Sequence, residues 1–265
     1  MIRRGITTVL VALATLAVAC IDLSAPKGAA SISILQLPSP FVVRGDVMRD
    51  SSGAPAKLGV LAYDGNGNLI PDVAADFFIT DSGPAAHLSP DGVLLGDRLG
   101  TVHVIGQIGN LQTPSTLIPV TVAPTTIARG PGTDTIRAPL GKDSSSSVGS
   151  TTISLVARGA GDTTVQGVVV QLKLIRTLES SSSKQPAVYI GDALGKPASS
   201  DTTDAAGAAN HKKVFVLSRN LADQLLQSGQ KIDSVIVEAS AIYKGAPLAG
   251  SPVRLVIPVR VVPSF

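Results

Sequence analysis

The feature that most constrains the fold of this chain is the alternation of apolar and polar residues in short runs. In the clearest run, every second residue from Val253 to Val261 is apolar, while Arg254 and Arg260 occupy positions between them. Successive side chains of a β-strand point to opposite faces, so a period of two is typical of a strand with one buried face. Similar runs recur along most of the chain and predict an all-β protein.

Seven short apolar runs lie between residues 31 and 123, separated by turn sequences that are rich in Gly, Asn, Asp and Ser. These residues favour turns because Gly and Asn accept positive φ and because Asp and Ser bond their own backbone. Short strands at such close spacing predict a β-sandwich. The predicted strands are 32–37, 57–63, 73–79, 86–88, 93–95, 101–108 and 115–122.

A second predicted domain covers residues 124–265. Its first part, 125–150, is rich in Gly and Ser and only loosely patterned, whereas 152–158, 168–174, 235–243 and 253–261 alternate as strands do. One short helix is expected at 220–228, with Asn220 as its N-cap and Gly229 at its end. The long segment 178–200, with its serine run, is the predicted recognition loop on grounds of length.

The N-terminus has the features of an export signal. Arg3 and Arg4 give a positive start, and residues 6–19 form an uninterrupted run of apolar and small residues. This run is shorter than the roughly 20 residues that a transmembrane helix needs. The pattern therefore predicts a Sec-type signal peptide over residues 1–19, with a retained membrane anchor as the alternative.

Cys20 is the only cysteine, so the chain cannot form an intramolecular disulfide. Its position after Leu16-Ala17-Val18-Ala19 resembles the lipobox of bacterial lipoproteins, which implies that the Cys20 thiol carries a lipid. Ala17-Val18-Ala19 also satisfies the ordinary cleavage rule, and only the lipid distinguishes the two routes. Residues 20–30 would then be the lipidated cysteine and a tether. The expected location is the cell envelope, anchored to the outer membrane or to a periplasmic face.

The stretch from Leu58 to Val122 resembles the bacterial immunoglobulin-like domain of group 2. The likeness rests on Leu61-Ala-Tyr-Asp64, on Ser89-Pro-Asp-Gly-Val93 and on Gly100-Thr-Val-His-Val104. That family often has Trp where Phe78 stands here, and the resemblance implies that the Phe78 ring fills the space between the sheets.

The second half resembles group 1 of the same domains, the invasin and intimin type. Gly167-Val-Val-Val-Gln-Leu172 and Thr203-Asp-Ala-Ala-Gly-Ala208 carry this likeness. Together the two resemblances imply two tandem immunoglobulin-like β-sandwich domains. Such families serve as adhesive modules, spacers and stalks on bacterial surfaces, and neither resemblance supplies catalytic residues.

The sequence contains few groups that could carry chemistry. Residues 64–68 begin like a calcium loop, but Leu69 and Ala75 stand where an EF-hand requires Gly and Glu, so we expect a hairpin turn. His87, His103 and His211 are isolated in the sequence, and His103 is expected to face solvent. Nucleophile-elbow and phosphate-loop motifs are absent from the sequence. We therefore predict no catalytic residues, no metal site, no cofactor and no enzyme activity.

The formal charge of +3 does not indicate nucleic-acid binding. Without Arg3 and Arg4, basic residues outnumber acidic ones by one, and they are scattered rather than clustered. The sequence predicts a non-catalytic envelope lipoprotein that acts as a spacer, adhesion or protein-interaction module. Its expected partners are the membrane, through the lipid, and an unidentified envelope or extracellular protein. The alternative is an accessory or small-molecule-binding lipoprotein of an envelope enzyme or transport complex.

Overall fold

The structure is a computed structural model that describes residues 28–133, 135–140, 149–176, 188–216 and 234–263. Within these ranges the chain forms strands, turns and a short 3-10 turn at Ala160–Asp162, and it contains no α-helix. The predicted helix at 220–228 lies outside the described residues. The all-β prediction is confirmed.

The N-terminal sandwich pairs two main sheets. One sheet has the order β1-β3-β4 and the other the order β2-β10-β8-β5, with β9 beside β8 and a separate β6-β7 hairpin. Its strands are β1 (Ser31–Gln36), β2 (Val42–Val43), β3 (Gly59–Tyr63), β4 (Leu69–Ile70), β5 (Asp76–Ile79), β6 (Ala86–Leu88), β7 (Leu94–Gly96), β8 (Gly100–Ile108), β9 (Leu111–Gln112) and β10 (Thr116–Thr121).

The C-terminal sandwich contains the remaining strands. Its largest sheet has the order β12-β23-β20-β15-β17, and two smaller sheets have the orders β11-β14-β18 and β13-β19-β16, with a separate β21-β22 hairpin. The strands are β11 (Pro124–Arg129), β12 (Ile136–Leu140), β13 (Gly149–Thr152), β14 (Leu155–Gly159), β15 (Val169–Arg176), β16 (Val188–Gly191), β17 (Ser200–Thr202), β18 (Ala208–Ala209), β19 (Lys213–Val216), β20 (Ser234–Ser240), β21 (Ile242–Tyr243), β22 (Ala246–Pro247) and β23 (Val253–Pro263).

The same strand order recurs in the two larger sheets. In each, a short early strand runs parallel to the last strand of the sandwich, as β2 does beside β10 and β12 beside β23. The next neighbours, β8 with β5 and β20 with β15, are antiparallel. This order is that of the immunoglobulin-like sandwich, whose last two strands and third strand share one sheet. The protein thus consists of two tandem immunoglobulin-like β-sandwiches.

Each sandwich has its own core of aliphatic side chains. Met48, Leu94, Val104 and Ile118 are completely buried in the N-terminal sandwich. The C-terminal core is larger and includes Leu255, which also has no exposed surface. Since the composition provides no Trp and few other aromatic rings, alternation of small branched side chains has to fill the space between the sheets.

Phe78 does not fill the inter-sheet space, so the expectation from the group 2 resemblance was wrong. Phe78 lies on the outer face of β5 and is 47% exposed, while its neighbour Phe77 packs against the buried cluster. In the register of β5 with β8, Phe77 pairs with Gly106 and Phe78 with Ile105. Since adjacent residues point to opposite faces, only one of the two rings can be inside.

Residues 125–150 are also more regular than the sequence pattern indicated. They contain most of β11, all of β12 and the start of β13. The predicted recognition loop at 178–200 is shorter than expected, because Val188–Gly191 forms strand β16 and Ser200 begins β17. Gly149 shows why alternation is weak here, since an added Cβ would lie 2.5 Å from the carbonyl oxygen of Arg137. Close backbone approach selects for Gly, and Gly weakens the apolar pattern.

Four turns are built in the same way, around an aspartate whose carboxylate accepts hydrogen bonds from backbone N–H groups of the turn. In each, Oδ1 of the aspartate accepts the backbone N–H groups two and four residues later at 2.8 to 3.0 Å, and a glycine three residues later has positive φ. This arrangement is an Asx turn. The predicted hairpin at 64–68 is confirmed. The four aspartates are Asp50, Asp64, Asp192 and Asp204.

Candidate functional site

The most elaborate polar cluster of the described residues lies where the two sandwiches meet. Its centre is Asp46, just after β2, whose carboxylate accepts hydrogen bonds from Nε and Nη2 of Arg49 at 2.8 to 3.2 Å. From the C-terminal sandwich, Nζ of Lys244 lies 2.6 Å from Oδ2 of Asp46, and the Tyr243 hydroxyl donates to the same oxygen at 3.2 Å. Only 14% of the Asp46 side chain is exposed. We call these four residues the junction cluster.

Apolar and backbone contacts surround the junction cluster. The rings of Phe41 and Tyr243 have centroids 6.3 Å apart. A Cβ added to Gly167 would lie 2.8 Å from Cβ of Phe41, and one added to Gly53 would lie 2.5 Å from the Lys244 backbone. Both glycines have positive φ. Side chains at these two positions would push the sandwiches apart, so the close fit depends on glycine.

The charges of the junction cluster stabilise one another. The hydrogen bonds from Arg49 hold the pKa of the Asp46 carboxyl well below its usual range, with Lys244 acting in the same direction and burial opposing both. Burial, together with the charge of Asp46, raises the pKa of Tyr243 to about 12. Asp46 is therefore an anion and Tyr243 a neutral donor at neutral pH. Such an arrangement can fix two domains relative to each other, but it presents no activated nucleophile.

A cleft of about 330 Å³ lies beside the junction cluster. Residues 38–43 and Arg49 line it from the N-terminal sandwich, and Val169, Gln171 and Ile242 line it from the C-terminal one. Its volume is at the lower end of the range for small-molecule sites. Side-chain polar atoms buried within the described structure all have hydrogen-bond partners. The cleft thus presents no buried polar group that awaits a ligand.

The three histidines each contact an aspartate at a different place. Nδ1 of His103 lies 2.9 Å from Oδ1 of Asp81, and Nδ1 of His211 lies 3.0 Å from Oδ1 of Asp201. His87 makes a similar contact on the surface with Asp97. The His103 side chain is 41% exposed, which confirms its predicted position on the outer face of β8. Over the part of the chain that the structure covers, no three His, Cys, Asp or Glu residues cluster as metal ligands.

The junction cluster was not predicted from the sequence. The alternation over 235–243 predicted one strand, but that strand ends at Ser240 and Tyr243 belongs to β21, where its ring packs against the C-terminal core while its hydroxyl reaches Asp46. A local signal existed in the spacing of Asp46 and Arg49, yet nothing in the sequence connects them to residues 243 and 244. Cys20, the predicted lipidation site, lies outside the described residues. A search of the described residues finds no helix with the length and apolarity required to cross a membrane.

Comparison with known proteins identifies distant structural neighbours. No protein-family model matches the chain, and no curated protein does. Domains 4 and 5 of the S-layer protein SbsC show 14% identity, with 88% of this chain and 100% of that chain covered and a TM-score of 0.31. The adhesin InvE of Yersinia pseudotuberculosis shows 16% identity, with 88% and 58% covered and a TM-score of 0.34.

The Escherichia coli adhesin FdeC is a further neighbour, with 16% identity, coverage of 86% of this chain and 62% of that chain, and a TM-score of 0.27. This chain spans less than two thirds of either adhesin. Similarity at this level does not carry an argument about function. The immunoglobulin-like fold rests on the strand order of the two larger sheets.

Proposed function

We propose that this chain is a non-catalytic, lipid-anchored envelope protein that holds an interaction surface away from a membrane. The observation that carries the proposal is which end of each sandwich carries the N-terminus of the described chain, the junction and the remaining strand ends. The described chain begins at one end of the first sandwich, the sandwiches join at its other end, and the second sandwich has its far end remote from both. Each of these positions follows from the strand register.

The N-terminal end of the described chain lies opposite the junction. Ala29 packs with Ile108 and Leu111, at the hairpin between β8 and β9. The other end of β8, at Gly100, pairs with Val120 near the end of β10, and β11 begins three residues after β10 ends. A tether that precedes residue 28 would thus attach at the end of the first sandwich that is remote from the second.

The junction limits how far the second sandwich can swing. Only Val122 and Ala123 separate β10 from β11, and the junction cluster adds an ion pair and a hydrogen bond from the C-terminal sandwich to the largely buried Asp46 carboxylate. Interfaces between domains of one chain permit relative motion unless contacts oppose it. Here charge, ring packing and close backbone approach all act against that motion, which suits a spacer.

Several strand ends lie together at the end of the C-terminal sandwich that is remote from the junction. Strand β15 starts beside the cleft at Val169 and ends at Arg176, which pairs with Ile236 near the start of β20. Gly149 and Val188 both pair with Val216 at that end. Residues 141–148, 177–187 and 217–233, which follow these strand ends in the sequence, lie outside the described residues. Loops at one end of such a sandwich commonly form recognition surfaces.

The anchor rests on the sequence of residues 1–20. Acyl chains on Cys20 would add about 0.8 kcal/mol of membrane affinity for each buried CH₂ group. We expect intact mass spectrometry of the protein from a membrane fraction to show cleavage before Cys20 and an added diacyl mass. The Cys20→Ser variant should lack that mass and leave the membrane fraction. Native protein with an unmodified Cys20 in the soluble fraction would exclude the anchor.

The site of interaction can be tested by photo-crosslinking in intact cells. A photoreactive side chain at Ser150, which is exposed at the far end of the C-terminal sandwich, should crosslink to another envelope or extracellular protein. The matched control places the same side chain at Asn110, which is exposed at the opposite end of the protein. Crosslinks from Asn110 alone, or from neither position, would contradict presentation at the far end.

The cleft supports one alternative, a small-molecule-binding accessory lipoprotein. Phe41 and Val43 give it an apolar wall, and Arg49 and Lys244 lie at the junction cluster beside it. The hydrogen bonds of Arg49 argue against this alternative, because all three guanidinium nitrogens already donate within the protein, Nε and Nη2 to Asp46 and Nη1 to the Gly53 carbonyl at 2.9 Å. This alternative would be favoured if the protein bound a metabolite saturably and if Val169→Trp, which fills the cleft, abolished that binding.

A further inference from the structure

The outer faces of the two larger sheets carry exposed apolar side chains. On the N-terminal sandwich these are Phe78 and Leu117, which are 47% and 48% exposed, with half-buried Ile105 opposite Phe78. On the C-terminal sandwich they are Ile175 and Val256, which are 43% and 49% exposed. Neighbouring strand residues such as Leu255 are fully buried, so these side chains are turned outward by the strand geometry.

Several of the apolar residues are neighbours across paired strands instead of lying singly. Phe78 and Ile105 are a cross-strand pair on β5 and β8, and Leu117 on β10 pairs with His103, one row further along β8. On the C-terminal sandwich, half-buried Ile236 on β20 pairs with Val256 on β23. Isolated apolar residues on a surface need no explanation, but a contiguous patch indicates a contact surface.

The two faces differ in charge. Strands β2, β5, β8 and β10 contain no Lys or Arg, and they carry Asp76, with Asp81 just after β5 in contact with His103. Arg44 and Arg98 lie beyond the strand ends. Among the side chains that the structure describes, the larger C-terminal sheet instead exposes four cations, and Glu238 lies between two of them, Lys173 and Arg254, in the strand register. The cations are Arg137, Lys173, Arg254 and Arg260.

We propose that this chain associates with a second copy of itself. The outer face of the larger N-terminal sheet of one copy binds the outer face of the larger C-terminal sheet of the other. The acidic, apolar face of one N-terminal sandwich would pack on the basic, apolar face of another C-terminal sandwich, so that Phe78 and Leu117 meet Val256 and Ile175. Contact between two like faces is disfavoured, because it would place like charges together. The contact is heterologous and joins different patches, so it can form a closed pair or extend into a chain.

Sedimentation velocity over a range of concentrations tests this proposal without a lipid, with the processed Cys20→Ser protein purified from the periplasm. We expect reversible association at low salt that weakens at high salt, because salt screens exposed charges. Arg254→Glu and Asp76→Lys should each weaken association by about tenfold or more. The double variant should associate again, because its two faces have exchanged charge at the contact.

The control variant is Lys196→Glu, which makes the same change of charge in an exposed turn that belongs to neither face. Its association should equal that of the unaltered protein. A protein that stays monomeric at all concentrations would overturn the proposal. So would association that both single charge reversals leave unchanged, or a double variant that fails to recover while retaining its melting temperature. Monomeric protein that binds an acidic protein through Arg254 would identify a different partner and would also overturn the proposal.

Discussion

Replacing Leu255 by alanine is expected to lower the free energy of unfolding of the C-terminal sandwich by about 3 kcal/mol. Leu255 has no exposed surface and lies in the large apolar cluster between the larger sheet and the two smaller sheets of this sandwich. Its removal deletes buried methyl groups and leaves a cavity that the neighbouring strands, held by backbone hydrogen bonds, cannot close. Chemical denaturation followed by circular dichroism measures the change.

Val256→Ala is the matched control for this prediction. Val256 is the next residue of the same strand, but it is 49% exposed on the outer face. We expect a loss within about 0.5 kcal/mol. Equal losses for the two variants would contradict the assignment of inner and outer faces along β23, on which the whole sandwich architecture depends.

Replacing Asp46 by alanine is expected to cost about 2 to 3 kcal/mol. The substitution removes the only carboxylate of the junction cluster and leaves Arg49 and Lys244 close together without it. Because Lys244 and Tyr243 belong to the C-terminal sandwich, the variant should also separate the unfolding of the two sandwiches. Calorimetry should then show two transitions further apart than those of the unaltered protein.

Asp97→Ala is the control for the junction, since Asp97 also forms an ion pair, with His87, but both side chains are about half exposed. An exposed pair contributes under about 1 kcal/mol. Tyr243→Phe isolates the hydrogen bond across the junction, and in a double-mutant cycle with Asp46→Ala it should show coupling. Additive effects of the two changes would mean that the hydroxyl and the carboxylate do not interact.

The pH dependence of the Asp46 contribution has a definite sign. The pKa of Asp46 in the folded protein lies well below the ordinary value of 3.8 because of its bonds to Arg49. The contribution is therefore complete above that ordinary value and is lost as the pH falls toward the folded one. The stability difference between the native protein and Asp46→Ala should thus shrink in acid. Tyr243 acts in the opposite sense, since its raised pKa means that its contribution disappears as the pH rises from 10 toward 12.

Much of the local structure was predictable because its causes are local. The strand at 86–88 was predicted at its observed bounds, and the outward position of His103 followed from its buried neighbours Val102 and Val104. The turn at Asp64 was predictable because its aspartate bonds backbone groups only two and four residues away. In each case the side chain and its partner lie within a few residues of each other or on one strand.

The errors have a common physical origin in packing between distant segments. Phe77 and Phe78 are adjacent in the sequence and have the same side chain, so only the register of β5 with β8 decides which ring is buried. Strand β12 was missed because it is held by pairing with β23, more than a hundred residues away, and not by its own alternation. A run of apolar residues indicates a strand, but its neighbours in the sheet settle which face is inside.

The sequence by itself determined that this protein is all-β, where most strands of its first sandwich run, and how its aspartate turns are built. Only the tertiary structure decided the junction, where Asp46 and Tyr243 meet although they are 197 positions apart in the chain. Turns and alternation arise from interactions within a strand or a few residues. A contact between domains depends on how the surfaces of two folded sandwiches fit together, and no single segment of the sequence determines that fit.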